Sequence, residues 1–473
     1  MASVQALLQQ GWQLHQAGQL EQAEALYRSV LDVEPKNADA HVYLGIVAFD
    51  QRRFEASVES YREALAIRHR FPVAWNNLGN SLRMLGRVEE AEECFAKALT
   101  QQPGYLSALK NRGTLWIWSG EIKRGLRWYQ EGLRHAPDNA ELHRNLGVIH
   151  LLLGEYDVGW QKYRWRWKMP GMYRPPTRAP RWNGEPIAGK TILLYAEQGL
   201  GDAIQFLRVA AELEQRGARV IVQCSERFLP LFTSAPGIDR FVLENSPIPS
   251  VDFHASLIEV VDVLYSLTGE ICWGESLFES DRGYLTVSAE LIAYWKRWID
   301  AESQPIRVGI NWQGNPGHHA DVYRSIPLQS LAPLSAIPGV TLINLQHGFG
   351  VEQIESVDFG SSILRLPQHV DTDGGAFTDT AAILPHLDLI VTTDTSLAHL
   401  AGAVGAPVTL MLGQVPDWRW LRTGRSTRWY PTMKLERQQQ LGTWTDVIHN
   451  VTAEVMQLSQ RSSSNGESNQ AES

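Results

Sequence analysis

The residues best placed to do chemistry in this chain stand at three turns where a strand pattern gives way to a helix pattern. In one, the apolar run 387–391 is followed by Thr392-Thr393-Asp394-Thr395-Ser396 and then by helical spacing (Leu397, Leu400, Ala401, Val404) closed by Gly405 and Pro407. A helix start carries unsatisfied N–H groups and a partial positive charge, so hydroxyls gathered there suit an anion such as a diphosphate. The same residues suit a plain helix cap, with Asp394 or Thr395 accepting the first amides. Position favours the ligand: 408–412 reads as the next strand, and parallel strand–helix–strand units bind ligands at the carboxyl ends of their strands.

The second turn is Glu197-Gln198-Gly199-Leu200-Gly201-Asp202, between a strand at 191–196 and helical periodicity at 202–215. Gly199 and Gly201 would let the backbone approach a ligand, and Asp202 stands at the helix start as a cap or a functional carboxylate. The third is Trp312-Gln313-Gly314 after a strand at 307–311, with Arg324-Ser325-Ile326-Pro327 opening a helix. Further strands are expected at 220–224 and 340–345, and Asp379 as the cap of a helix at 380–384. These elements make two Rossmann-like α/β halves, 191–300 and 301–455, with a cleft between them for a small molecule.

Ahead of the two halves lies a repeat. Gly11, Gly45, Gly79, Gly113 and Gly147 fall 34 residues apart, and an aromatic follows each by sixteen: Tyr27, Tyr61, Phe95, Tyr129 and Tyr163. The third copy adds Trp75, Leu78, Gly86, Ala91, Ala98 and Pro103. This pattern resembles the tetratricopeptide repeat, an all-α solenoid of about five helix pairs over 1–168. Such an array offers a concave surface for a protein or peptide, or serves as a spacer or dimerisation element. Its fifth copy is irregular at Gly159 and Trp160, as expected where an array is capped.

Between array and halves, 162–182 holds seven Lys or Arg, five Tyr or Trp and no acid. Alone this would suit a nucleic-acid or lipid-headgroup surface. The chain of 473 residues carries a net charge of −9, which argues against nucleic acid and for Tyr163, Trp165 and Trp167 finishing the last repeat before a linker at 169–190. The scattered Cys94, Cys224 and Cys272 read as reduced thiols, and no apolar run is long enough to span a membrane. A cytoplasmic protein is expected, with peripheral membrane contact left open and a disordered tail at 461–473. Asp371-Thr372-Asp373 imitates a metal-binding DxD, but it and His318-His319 lack further ligands at metal spacing. Asp252 and His254, in the first half, could touch an acceptor, though a loop role suits them better. Trp418, Trp420, Trp429 and Tyr430 suit stacking walls for a base or sugar, or packing against the linker.

Over about 180–440 the chain also resembles the family 9 glycosyltransferases, which include the lipopolysaccharide heptosyltransferases. Pro180-Arg181-Trp182, 196–202 (AEQGLGD), 324–328 (RSIPL), 399–403 (HLAGA), 417–420 (DWRW) and 429–431 (WYP) carry the likeness. It is similar too, in architecture, to protein O-linked N-acetylglucosamine transferases. The resemblance implies a GT-B fold with acceptor on the first half and nucleotide sugar on the second, inversion at the anomeric carbon, and no metal or other cofactor. It implies Asp202 as base, with Glu197 in reserve, and a diphosphate held by Thr395, Ser396 and Arg324 beside Asp394. His399, one turn after Thr395, would face the same ligand or be a satisfied interdomain histidine. The helix start should lower the Asp202 pKa. The reading is a glycosyltransferase whose donor is an ADP-, UDP- or GDP-sugar. The alternative is a non-catalytic repeat scaffold with a transferase-like domain.

Overall fold

Glycines at 34-residue steps decide how the first part of the chain packs. The computed structural model describes residues 3–197, 199–278, 283–318, 320–372 and 374–471, with side chains described through Arg461. The chain divides into two compact units, Met1–Met169 and Pro170–Ser473. In the first, helices of 13 residues such as Pro72–Met84 alternate with helices of 14 such as Val88–Gln101. A Cβ on Gly45, Gly79 or Gly113 would stand 2.6, 2.8 or 2.6 Å from the ring of Tyr61, Phe95 or Tyr129. Only a residue without a side chain lets the paired helix and its aromatic come this close. The fifth copy departs: a Cβ on Gly147 would strike the main chain of Tyr163. Its second helix, Tyr156–Tyr163, has 8 residues and passes into a 3₁₀ turn, Arg164–Lys168, that buries Arg166 and Trp167. The basic–aromatic run is thus partly interior, with Trp165 stacked 3.9 Å from His143.

The second unit holds two parallel sheets. β1 (Thr191–Tyr195), β2 (Arg219–Cys224), β3 (Arg240–Leu243) and β4 (Phe253–Ser256) run in the order β3-β2-β1-β4. β5 (Ile306–Asn311), β6 (Val340–Asn344), β7 (Leu389–Thr393), β8 (Val408–Leu412) and β9 (Met433–Arg437) run in the order β6-β5-β7-β8-β9. β7 and β8 are buried throughout, the mark of strands covered on both faces. Each sheet reverses its winding beside its first strand, between β1 and β4 and between β5 and β7, and such switch points open a crevice at the strands' carboxyl ends. Residues 180–182 run beside β4: Trp182 N donates to His254 O (2.9 Å) and His254 N to Pro180 O (3.1 Å).

Several local expectations change. The helix expected at 202–215 is two, Leu200–Phe206 and Val209–Gln215, because Arg208 at the break turns its Nε onto the carbonyl of Gln205 (2.7 Å). Arg324 ends a short helix, Asp321–Arg324, instead of opening one; Ile326 N donates to Trp312 O (2.8 Å), and a 3₁₀ turn, Leu328–Leu331, follows Pro327. Asp379 does not cap its helix. Asp371 does so from the preceding loop, accepting from Asp379 N (2.8 Å) and Thr380 N (3.1 Å), while Asp379 accepts from the Trp295 indole (2.8 Å). The last helix, Thr445–Ala471, runs through most of the segment expected to be a disordered tail; Val447, Ile448, Val451 and Val455 anchor its start in the core under the second sheet. No helix among the described residues is long and apolar enough to cross a membrane.

The glycine–aromatic fit gives a test. Phe95→Ala should cost about 3–5 kcal/mol, and Gly79→Ala, harmful alone, should recover part of that loss in the Phe95→Ala background, where the new methyl enters the vacated ring space. Urea midpoints of the four proteins read the coupling. Equal effects of Gly79→Ala in both backgrounds would refute the packing account.

Candidate functional site

At the second switch point, Asn311 ends β5 and organises the crevice. Its Oδ1 accepts from the hydroxyls of Thr392 (3.0 Å) and Thr395 (3.1 Å), and its Nδ2 donates to Gln346 Oε1 (2.7 Å). Gln346 Oε1 also accepts from the main-chain N–H groups of Trp312 (3.1 Å) and Gln313 (3.0 Å), so one amide pair ties together the loops after β5, β6 and β7. Thr395 is the N-cap of the helix Ser396–Ala403, yet its side chain makes no capping bond because its hydroxyl is directed to Asn311. The first amides of this helix therefore receive no side-chain cap from Thr395, whose carbonyl accepts from Ala398 N (3.1 Å). The buried hydroxyl of Thr393 has no partner among the described residues.

Arg324 reaches this turn from the loop after β5. Its Nη1 donates to the main-chain carbonyl of Asp394 (2.6 Å), its Nε lies 3.6 Å from Asp321, and it passes so close to Gly314 that a Cβ there would meet Nη2 at 2.6 Å. Asp394 is half-buried, and burial followed by the neighbouring Asp417 charge pushes its carboxyl up to about 6, against the pull of the Trp420 indole, Arg324 and Arg419.

Asp202 comes to the same place from the first sheet. Gly201 packs on the Ser396–Ala403 helix, where a Cβ would lie 2.8 Å from His399 Cδ2 and 3.5 Å from Ser396 Cα. Its role is this helix-to-helix approach, while Gly199 N-caps the Leu200–Phe206 helix with nothing near it. Asp202 Oδ1 accepts from Arg419 Nη2 (2.6 Å), and Arg419 Nη1 donates to Asp417 Oδ1 (2.7 Å). The expected lowering of the Asp202 pKa is not found. Burial raises it, and the Asp417 and Glu197 charges add to that, outweighing Arg419. A seven-residue helix start is a weak field beside the loss of water.

His399 is 6% exposed, meets the Tyr430 hydroxyl through Nδ1 (3.1 Å) and stacks on Trp420 with ring centres 5.2 Å apart. Burial and the nearby charges of Arg419, Arg208 and Arg324 hold its pKa well below the ordinary range, so it is a neutral imidazole. Trp418 and Trp429 pack on Phe206, and Trp429 also on Trp273, rather than on the linker. Within this aromatic layer Arg208, 1% exposed, donates to the carbonyls of Trp273 and Trp429 (2.7 Å each) and to the Tyr284 hydroxyl (3.3 Å).

The other candidates lie apart or have other work. Glu197, at the first switch point, accepts from the Ser256 hydroxyl. Asp252 holds the opposite end of β1, accepting from Thr191 N (2.8 Å), and His254 lies within β4, not in a loop. Asp371 is the helix cap described above; its DxD partner Asp373, His319 and Gln198 lie outside the described residues. Among the described residues no group of three or more His, Cys, Asp or Glu could hold a metal ion. Sequence reading did not single out Asn311, Gln346, Arg208 or the pairing role of Arg419. Asn311 alone left a local signal, a polar residue closing an apolar strand; the others act across separations such as the 217 residues between Asp202 and Arg419.

Residues 8–69 and 72–105 match models described as tetratricopeptide repeat. The first unit is a tetratricopeptide-repeat array. The chain is 25% identical over 455 residues to Protein FlbA of Caulobacter vibrioides, covering 88% of this chain and 72% of FlbA. It is 28% identical over 140 residues to a Hordeum vulgare protein named "Probable UDP-N-acetylglucosamine--peptide N-acetylglucosaminyltransferase SPINDLY", covering 28% of this chain and 15% of that one. Similarity to Protein O-mannosyl-transferase TMTC1 of Mus musculus is also 28% over 139 residues, with the same coverage. Among solved structures, pilF of Pseudomonas aeruginosa aligns with 36% of this chain and 78% of its own at 26% identity and a TM-score of 0.33. The repeat protein is thus similar, over a limited length, to proteins named as O-glycosyltransferases.

The raised Asp394 carboxyl makes a prediction about pH. Its folded value of about 6 exceeds the ordinary 3.8, so between these values the folded state holds the proton more tightly. The stability it contributes is complete below about pH 4 and is lost as pH rises through 6. Asp394→Asn, which cannot ionise, should melt higher than wild type above pH 7, with the gap closing towards pH 4. A gap that stays constant with pH would contradict the burial account.

Proposed function

We propose that the second unit is a GT-B-type glycosyltransferase related to the heptosyltransferase family, inverting and metal-independent, moving a sugar from a nucleoside-diphosphate sugar to an acceptor hydroxyl. The repeats dock a protein that is the acceptor or brings it. One observation carries the reading: the helix that follows β1 packs on the helix that follows β7, and Gly201 seats Asp202 beside the Ser396 helix start.

In this reading the donor diphosphate binds the Ser396 helix start, where main-chain amides do more than the Thr395 hydroxyl, whose proton is committed to Asn311. The unpartnered Thr393 hydroxyl and Arg324 lie at the same turn, the arginine offering a planar fork to phosphate oxygens. The acceptor oxygen bonds to the anomeric carbon, the carbon–oxygen bond to the diphosphate breaks, and the acceptor proton passes to Asp202. A burial-raised carboxylate is a better base than a helix-start aspartate in water. His399, neutral and buried, packs the two helices together instead of binding the donor. Arginines and helix amides supply the positive charge for the leaving group. The similarity to SPINDLY and TMTC1 supports joining such repeats to sugar transfer.

A second reading rests on the Asp202–Arg419 pair, which occupies the base: the domain binds nucleotide without turnover and the repeats act as a scaffold. Thermal unfolding with a panel of ADP-, UDP- and GDP-sugars separates these from a domain that binds none. A donor at 100 times its Kd should add about 2.7 kcal/mol, and Thr395→Ala should reduce the shift. Nucleoside diphosphate released from the effective sugar by wild type but not by Asp202→Asn would favour the enzyme. No shift with any of them at millimolar concentration would refute the donor site.

A further inference from the structure

Three carboxylates, Asp202, Asp394 and Asp417, converge on the helix start proposed for the diphosphate, and Asp417 raises the carboxyls of both others. Such a place repels an anion unless its cations are redistributed. Arg419 is 7% exposed, stands 5.0 Å from the rings of both Phe206 and Trp418, and divides its fork between Asp202 and Asp417. Its anchor on Asp417 is double, because Asp417 Oδ1 also accepts from Arg419 N (3.0 Å). The bond to Asp202 is made by Nη2, and Asp202 adjoins Gly201, whose Cβ would lie 3.5 Å from Ser396 Cα. Through Asp202 the guanidinium thus stands one residue from the Gly201–Ser396 contact, while its bonds to Asp417 do not depend on Nη2.

We infer that Arg419 is a two-position donor-site residue: in one position it pairs with Asp202, as here, and in the other it gives Nη2 to the donor diphosphate, which frees Asp202 to accept a proton. This rests on the donor-site reading above. It makes Asp202 and the diphosphate competitors for one cation, so the base becomes available only when the leaving group is in place.

Competition of this kind shows in a double-mutant cycle on the full chain, titrated with inorganic pyrophosphate and with UDP, ADP and GDP. Asp202→Asn should tighten binding about tenfold or more, and Arg419→Gln should weaken it by a similar factor. In the Arg419→Gln background, Asp202→Asn should lose most of its tightening, since the cation competed for is gone. Arg419→Lys, which keeps the charge and loses the fork, should recover part of the affinity; it replaces the Gln variant in the cycle if that one does not melt cooperatively. Equal tightening by Asp202→Asn in both backgrounds, or none in either, overturns the switch. Proton uptake by Asp394 is the rival route, and it predicts an affinity that rises as pH falls and that ignores Asp202→Asn. Binding by wild type without coupling therefore removes the switch alone, whereas a wild type that binds none of the probes removes the donor site and the switch with it.

Discussion

A guanidinium buried among aromatic rings holds the second unit together. Arg208 places its N–H groups on carbonyls of Gln205, Trp273 and Trp429 and on the Tyr284 hydroxyl, within 4.7–5.5 Å of the rings of Phe278, Tyr284, Trp429 and Tyr430. Among the described residues no carboxylate pairs with it. A cation taken out of water without a counter-ion costs several kcal/mol unless hydrogen bonds and ring faces replace its hydration. Here they come from segments far apart in the chain, so the arginine is satisfied only when both sheets and their loops are in register. The consequence travels through Tyr430, whose hydroxyl meets His399, and through Trp429, whose indole donates to the Arg419 carbonyl (3.1 Å). The buried cation thereby fixes the loop that brings Arg419 to Asp202.

The crevice that this clamp creates is costly in charge. Asp202 and Asp394 are both held above their ordinary range by burial and by Asp417, although Arg324 and Arg419 are close. A fold selected for stability alone would fill such a place with apolar side chains of similar volume, since buried ion pairs seldom offset their desolvation. The proposed transfer reaction needs both a base and a charge-stabilising surface, and in that reading the raised carboxyls at the switch point supply the first.

What the sequence made legible follows the range of the forces involved. The repeats were readable because glycine and aromatic lie sixteen residues apart and recur, so packing leaves a periodic trace; the fifth copy broke the trace and, in the structure, breaks the packing. Fully buried parallel strands were readable as apolar runs, and their polar ends as crevice residues. The break at Arg208 was not, because the helical pattern continues through it and its cause is the arginine's distant partners. The direction of the Asp202 shift was misjudged for a related reason: a helix start is visible in sequence, whereas the depth of burial and the approach of Asp417, 215 positions away by its number, are not. The sequence around Asp371 shows only a DxD without further ligands, because the spacing of two aspartates is local; its work of capping a helix eight residues on leaves no such trace.

The Thr395 hydroxyl shows how structure redirects a residue-level argument without discarding it. In the sequence, hydroxyls beside a helix start were the attraction for an anion, with helix capping as the rival. In the structure the Thr395 hydroxyl does not cap the helix, because its proton goes to Asn311, which Gln346 holds across the neighbouring strand ends. That network fixes the backbone of the turn and leaves the first amides of the Ser396 helix without a side-chain cap from their own N-cap residue. A helix end without such a cap is a liability in an ordinary surface turn, and water or a side chain normally removes it. Here two side-chain amides and two threonines keep the turn open between three carboxylates and two arginines. In the proposed reading a donor diphosphate completes this arrangement, which is specific in its hydrogen bonds and unfavourable in its charge.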